Sequence, residues 1–400
     1  MRIGFVDLSQ FVGGAEREIL DHATALRDDH GASVIAIIDS RNADFAALLD
    51  QCGVPVEAAD FELGRDAGVS RRGLGNAWRL LGQARRLRAM AKHHALDLLI
   101  TFSFHSGVVA AAAKLLGMKT RLIVGQVTRR DLTRGGVLEH LQFFAADAVT
   151  YNSNATRESF APLARRYPRP EKVVYSYVKQ PLLRGERNER EALLAEHGLA
   201  PDTVVIGYCG RIFESKRVSD VVDAAGLLNA AAPGKFFLLV IGSAPTPSDY
   251  EAEIRALAEA RCPGRHRFFA FAADPFPLLA ACDVVVQPSM EPFGRVLVEA
   301  MYLGVPFVAT DAGGPKEIMG LADARCGRLV PPMRPDLIAA AITALTPSRP
   351  AERPPVPYPL TRAGIIGAAM QFYQEALAGK RPTQSGRLRS GLQTSAKEVR

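Results

Sequence analysis

The sequence predicts an α/β protein of two doubly wound domains, and three observations predict it. Four hundred residues exceed one comfortable core and suggest two domains of roughly 180 residues each. Short apolar runs of strand length alternate with longer runs of helical periodicity. The same opening unit, strand, glycine-containing turn, helix, occurs twice: Ile3 to Leu8 with Gly13-Gly14, then Val204 to Tyr208 with the turn Cys209 to Lys216.

Composition narrows the class. A chain 48% hydrophobic and 23% charged has the proportions of a soluble globular protein. The five cysteines (Cys52, Cys209, Cys262, Cys282, Cys326) are scattered, odd in number and without metal-ligand spacing. A reduced cytosolic thiol set is expected, with no disulfide framework and no zinc site. Met1 to Val6 enters a strand without signal-peptide architecture, and no apolar run approaches the ~20 residues of a membrane span. The chain is therefore expected to be cytoplasmic, or peripheral to a membrane at most. A net charge of +7 and a pI near 9.2 admit nucleotide diphosphates, acidic lipids or nucleic acid. No helix-turn-helix, zinc-finger or RNA-binding motif accompanies that charge, which sets nucleic acid aside.

Taken in order, strand Ile3 to Leu8 leads to a helix from Ala15 to Arg27 with Ile19, Leu20, Ala23 and Leu26 periodic. Its turn is not G-x-G-x-x-G, and Glu16 would repel a dinucleotide phosphate, so no nicotinamide or flavin site is expected. Gly13-Gly14 satisfies either a tight turn or a close approach to a ligand. Ala32 to Ile38 is the second strand and Phe45 to Cys52 a helix. The polar stretch Asp60 to Gly75, with Arg65, Arg71 and Arg72, is expected to form a loop facing the cleft. A helix from Asn76 to His94 is read with Trp78, Leu81, Leu87 and Ala91 on one face and Arg79, Arg85, Arg86, Arg88 and Lys92 elsewhere. Such a helix packs on a core with a solvated basic face, or lies on an anionic membrane.

Strands Leu96 to Thr101, Arg121 to Val124, Ala145 to Tyr151 and Lys172 to Tyr177 complete a first domain over residues 1–180. Lys179 to Ala200 is read as a hinge and the first helix of a second domain, 181–360. Its strands are Val204 to Tyr208, Phe236 to Ile241, Arg267 to Phe271, Asp283 to Gln287 and Phe307 to Thr310. Thr361 to Leu377, with Ile365, Ile366, Met370, Tyr373 and Leu377 periodic, is a last helix over 361–378. The tail Arg381 to Arg400 has a disordered composition.

One stretch states a chemistry: Pro288-Ser289-Met290-Glu291-Pro292-Phe293-Gly294-Arg295-Val296-Leu297-Val298-Glu299-Ala300-Met301. It follows an apolar strand and ends at Gly304, the residue type that closes helices in a left-handed conformation. A helix from Gly294 to Leu303 is expected, apolar almost all round and hence buried. Glu299 does not fit that pattern. A buried carboxylate needs donors, whether a protein Arg, backbone amides or ligand hydroxyls. Glu291 stands just outside the helix start, beside free N–H groups that attract anions. Arg211 and Lys216 flank a loop at a strand's carboxyl end, where a planar fork of donors and a compact charge together can neutralise a diphosphate.

Glu, seven residues, Glu with Phe-Gly inside, followed by Glu-Ala-Met, Gly304-Val305-Pro306 and Gly313-Gly314-Pro315-Lys316-Glu317, resembles the signature of retaining family-4 glycosyltransferases. The resemblance is strong from Gly207 to Pro332 and looser before. It implies the glycosyltransferase-B fold, two Rossmann-like domains around a cleft, with acceptor in the first, donor in the second, and a last helix that crosses back. It further implies transfer of a hexose-type sugar from a nucleoside diphosphate sugar, of UDP or GDP type, to an acceptor hydroxyl with retention. No cofactor and no metal is implied. Catalytic roles pass to Glu291, for the sugar or the charge developing at its anomeric carbon, and to Arg211 and Lys216, for the departing diphosphate. Donor binding passes to Gly14, the backbone of Phe293, Gly294, Arg295 and Val296, and Glu299 on the ribose. Gly13, His105, Gln126 and Arg129 become acceptor or sugar contacts.

The acceptor class implied is a glycan or lipid-linked glycan of envelope polysaccharide or lipopolysaccharide assembly, at the inner face of a membrane. The sequence departs from the family at Gly125-Gln126, where many relatives carry a second histidine, at Ser176-Tyr177 for Asn-Gly, and at Arg217 and Ala270 for Gly. Glu317 is expected to close the site. An epimerase or phosphorylase of the same fold, or a degenerate relative that only binds nucleotide sugar, is the alternative reading.

Overall fold

The structure, a computed structural model, describes residues 1–10, 12–61, 73–130, 136–180, 186–244, 248–270, 274–346 and 354–379. Most of the expected Asp60 to Gly75 loop and the tail from Arg381 lie outside the described residues.

The first half alternates strand and helix: β1 (Arg2–Asp7), α1 (Gly14–His30), β2 (Ser33–Asp39), α2 (Ala43–Gln51), β3 (Val56–Ala59), α3 (Gly73–His93), β4 (Leu98–Thr101), α4 (Phe104–Leu115), β5 (Arg121–Gln126), α5 (Gly136–Ala145), β6 (Ala148–Tyr151), α6 (Asn154–Arg166) and β7 (Glu171–Val173). Its seven strands pair in parallel in the order β3-β2-β1-β4-β5-β6-β7. Both faces are covered, so the strands read as almost unbroken apolar runs. Along β1, Ile3 and Phe5 join a core with α1, while Val6 joins the opposite core beneath α3, α4 and α5.

The second half repeats the plan: α7 (Glu186–Glu196), β8 (Val204–Cys209), α8 (Val218–Ala231), β9 (Phe236–Ile241), α9 (Asp249–Arg261), β10 (His266–Phe269), α10 (Phe276–Ala280), β11 (Val284–Gln287), α11 (Arg295–Leu303), β12 (Phe307–Thr310), α12 (Gly313–Leu321), β13 (Gly327–Val330) and α13 (Pro335–Leu345). Six parallel strands run β10-β9-β8-β11-β12-β13. Together the two sheets give two Rossmann-like units, as the alternation of elements predicts. The last helix, α14 (Arg362–Leu377), packs on the first unit: Ile365, Ile366, Met370 and Tyr373 share one buried cluster with Ile3, Phe5 and Ile19. All five cysteines are free thiols.

Two expectations are corrected. Trp78 is 68% exposed, whereas Ala84, Leu87 and Ala91 are buried. Nine residues separate Trp78 from Leu87, about two and a half turns, so the indole lies on the far side of α3 among the arginines. The expected strand Lys172 to Tyr177 stops at Val173. Beyond it Val174, Tyr177 and Val178 are still buried, because this run crosses between the halves and packs on both cores.

Candidate active site

Strand order reverses at the first strand of each sheet: β1 lies between β2 and β4, and β8 between β9 and β11. Ligands of open parallel sheets sit outside the carboxyl ends of the strands at such a reversal. The loops there carry most of the expected residues: Gly13 and Gly14 after β1, His105 after β4, Arg211 and Lys216 after β8, and Glu291 to Val296 after β11.

Strand β11 is three valines ending in Gln287. The Lys216 ammonium donates to both Glu291 oxygens, at 2.7 and 2.8 Å. Ser289 Oγ adds a bond of 2.7 Å and Gln287 Nε2 one of 3.3 Å, so three side chains fix one carboxylate. Lys216 ends a single 3-10 turn, after which Arg217 takes a left-handed conformation with φ +54°. Glycine would take this conformation without a steric cost. Here Arg217 offsets the conformational cost, about 1–2 kcal/mol, with a two-point ion pair to Asp220 at 2.7 Å. Arg211 is exposed, its guanidinium 5.5 Å from the Phe213 ring centroid, and its carbonyl accepts from Tyr208 OH at 2.9 Å.

Gly294 is the N-cap of helix α11, and its φ of +104° favours glycine. Leu297 N–H finds Gly294 O at 3.0 Å, which leaves the amides of Arg295 and Val296 open at the positive end of the helix. Phe293 is buried and stacks on Tyr175, centroids 5.7 Å apart. Glu299 is half-buried one turn further in. Burial raises its pKa, and the fields of Arg295 and then Arg17 oppose the rise. Arg295 and Arg17 thus act on it through their fields alone.

In the first half, Gly13 is extended and its N–H donates to Glu16 Oε2 at 2.6 Å. Glu16 therefore caps its own helix. At Gly14 an added Cβ would meet nothing within 4 Å, so the protein itself does not demand glycine there. His105 is half-buried near the start of α4, with no partner for Nε2 among the described residues. Burial lowers its pKa, with Asp39 raising and Arg41 lowering it. Gln126 is 9% exposed, and its amide donates to Gln142 at 3.5 Å, toward α5. Arg129 is half-buried and engaged with the protein.

The two halves grip the Glu291 loop between them. Ser153 Oγ, at the cap of α6, donates to Pro292 O at 2.6 Å. Glu317, expected to close the site, reaches across to the first half. It accepts from Asn154 N–H at 2.8 Å, from the Asn154 amide and from Tyr175 OH at 2.7 Å. The physical reason is the open N-terminus of α6, whose amides attract a carboxylate. On the other side Arg295 donates to Asp21 at 2.7 Å and to Tyr177 O at 2.6 Å. Sequence reasoning missed Gln287, Ser289, Ser153, Tyr175 and Asp21. The polar pair ending a valine strand was a usable signal for the first two; the others depend on how the halves meet.

Glu18 stands 3.7 Å from Arg295. Burial pushes its pKa up to about 7, against the pull of Arg295 and the Ser176 hydroxyl. A carboxyl raised in the folded state contributes stability below its unfolded pKa and loses it as pH rises through the folded one. Glu18→Gln is expected to flatten the decline in melting temperature between about pH 5 and 7, checked by thermal melts of both proteins across that range.

Among the described residues, no three His, Cys, Asp or Glu side chains group to hold a metal ion, and no helix is long and apolar enough to cross a membrane.

Residues 189–354 match the profile of the glycosyl transferases group 1 family. The D-inositol 3-phosphate glycosyltransferase of Jonesia denitrificans is 35% identical over 162 residues, 39% of this chain and 38% of that protein. The N-acetyl-alpha-D-glucosaminyl L-malate synthase of Bacillus anthracis is 25% identical over 254 residues, 61% of this chain and 64% of that protein. The matched stretches thus span less than two thirds of these curated relatives. Anabaena HepE, solved in complex with UDP-glucose, is similar over 94% of this chain and 98% of that one, with 25% identity and a TM-score of 0.73. The two-unit fold is therefore that of the glycosyltransferase-B type.

Proposed function

We propose that the chain is a retaining glycosyltransferase of family-4 type, moving a hexose from a nucleoside diphosphate sugar to an acceptor hydroxyl. The observation that carries the reading is the Lys216–Glu291 pair beside the open amides of α11 at the strand-order reversal. The group 1 match over 189–354 covers that whole constellation. A UDP-sugar donor fits the UDP-glucose complex of the similar Anabaena protein.

Charge on the departing diphosphate is taken up by Lys216, Arg211 and the amides of Phe293 to Val296, preorganised donors of the kind that dominate such catalysis. No metal or cofactor is needed in this scheme. Glu291, fixed by Ser289 and Gln287, faces the transferred sugar, and Glu299 takes the ribose hydroxyls. Gly14 lets the first half approach the donor, and Gly13, His105, Gln126 and Arg129 line the acceptor side. The acceptor is a glycan or lipid-linked glycan of envelope polysaccharide or lipopolysaccharide assembly. Peripheral contact at the cytoplasmic face of a membrane is supported by exposed Trp78 among exposed Arg79, Arg85, Arg86 and Arg88.

The test is a calorimetric titration with UDP, GDP and ADP, first without metal and then with magnesium. One nucleotide is expected to bind without metal, and Glu299→Ala and Arg211→Ala should each weaken it about tenfold or more, as loss of a charged hydrogen-bond partner does. Absence of binding at millimolar nucleotide would remove the donor-site assignment.

A further inference from the structure

We infer that Arg295 is a positioning residue, a latch whose side chain ties the start of the donor helix to α1 and so holds the two halves in register. The inference rests on the donor reading above and adds to it the part played by the side chain, as distinct from the amide. Arg295 is the first residue of α11, among the amides at the helix N-terminus. Its guanidinium reaches to the first half. Nη2 lies 2.7 Å from Asp21 Oδ2, Nη1 donates to Tyr177 O at 2.6 Å, and Glu18 Oε2 is 3.7 Å from Nη1. All three partners precede the second unit in the chain, two on α1 and one on the crossing run. The guanidinium is 19% exposed, Asp21 13% and Glu18 4%.

This geometry makes separation costly. Parting the halves would break two charge-assisted hydrogen bonds at once, to Asp21 and to Tyr177 O. Gly14 opens α1 seven residues before Asp21, roughly 10 Å along the helix. One ion pair therefore fixes the distance between the two helix starts that the proposed donor spans. Phe293 on Tyr175 and Ser153 on Pro292 hold the same loop from its other end, so the latch completes a two-sided grip. Arg fits this task better than Lys because its planar fork meets the Asp21 carboxylate and the Tyr177 carbonyl at once.

Asp21→Asn and Arg295→Lys test it, the first altering a residue outside the donor pocket. Small-angle scattering of the nucleotide-free proteins is expected to show a larger radius of gyration and a broader distance distribution for both variants than for the wild type. Unchanged scattering in both overturns the latch, whatever the protein binds. With UDP-glucose as probe, kcat for UDP release is expected to fall about tenfold with KM and calorimetric UDP affinity within about threefold, the pattern of lost positioning. A parallel fall in UDP affinity would place Arg295 in the pocket, and an unchanged or raised kcat would overturn the latch. If the wild type binds no nucleotide, the donor reading fails while the scattering comparison still decides the latch. Should Arg295→Lys fail to fold, Asp21→Asn carries both readouts.

Discussion

Lys216→Ala is expected to lower turnover by about 10²–10³-fold, the size of effect seen when one preorganised donor to a developing negative charge is removed. Lys216 has two functions at once. It fixes Glu291 through bonds of 2.7 and 2.8 Å, and it places an ammonium just before the start of α11, where the proposed diphosphate departs. Removing it takes away a charge and frees the carboxylate to rotate on its remaining bonds from Ser289 and Gln287. Glu291→Gln separates the two functions, because the isosteric amide keeps an acceptor for Ser289 while the charge is lost. UDP release from UDP-glucose should fall in both variants, whereas calorimetric UDP binding should fall in Lys216→Ala and hold in Glu291→Gln. Turnover within tenfold of wild type in Lys216→Ala would exclude it as the group that stabilises the leaving diphosphate.

The second large effect is steric. A Cβ at Gly314 would stand 2.3 Å from Phe293 O, 2.4 Å from its Cα and 2.6 Å from its carbonyl carbon. All three are backbone atoms, so no rotamer change relieves the clash, and the Gly314 N–H bond to Glu291 O at 2.9 Å would be strained as well. Gly314→Ala is expected to destabilise the second unit by about 3 kcal/mol, at the upper end of overpacking costs. Gly320, in the same helix, is exposed with nothing near its added Cβ, and Gly320→Ala should stabilise by about 0.5–1 kcal/mol. Denaturant melts of the pair decide this: two Gly→Ala changes of the same sign would mean that the tight contact of α12 with the Glu291 loop is absent in solution.

The contrast between those glycines marks how far the sequence could be read. Periodicity was enough for both Rossmann-like units, because parallel strands covered on two faces become apolar runs that stand out between helices. The E-x7-E stretch stands out in the sequence for a related reason: Glu291 and Glu299 are acidic groups in a segment otherwise built for burial. Residues that act by spanning the halves left no such trace. Asp21 looks like any exposed acid on an amphipathic helix, and Ser153 like any cap. Glu317, expected only to close the site, was not legible as a contact between the halves; the nearby N-terminus of α6 shows what it satisfies. Trp78 was misplaced by counting apolar residues without following the helical angle, which puts it half a turn from Leu87.

The return of α14 has a consequence for how the chain is made. Strands β1 to β7 leave the ribosome first, yet the cluster around Ile3 and Phe5 stays open until Ile365, Ile366 and Tyr373 arrive. The second unit closes its own cores from residues that follow one another in synthesis. The half begun first is therefore the half completed last, and a nascent chain stalled in α13 would expose the apolar floor of its first sheet to chaperones.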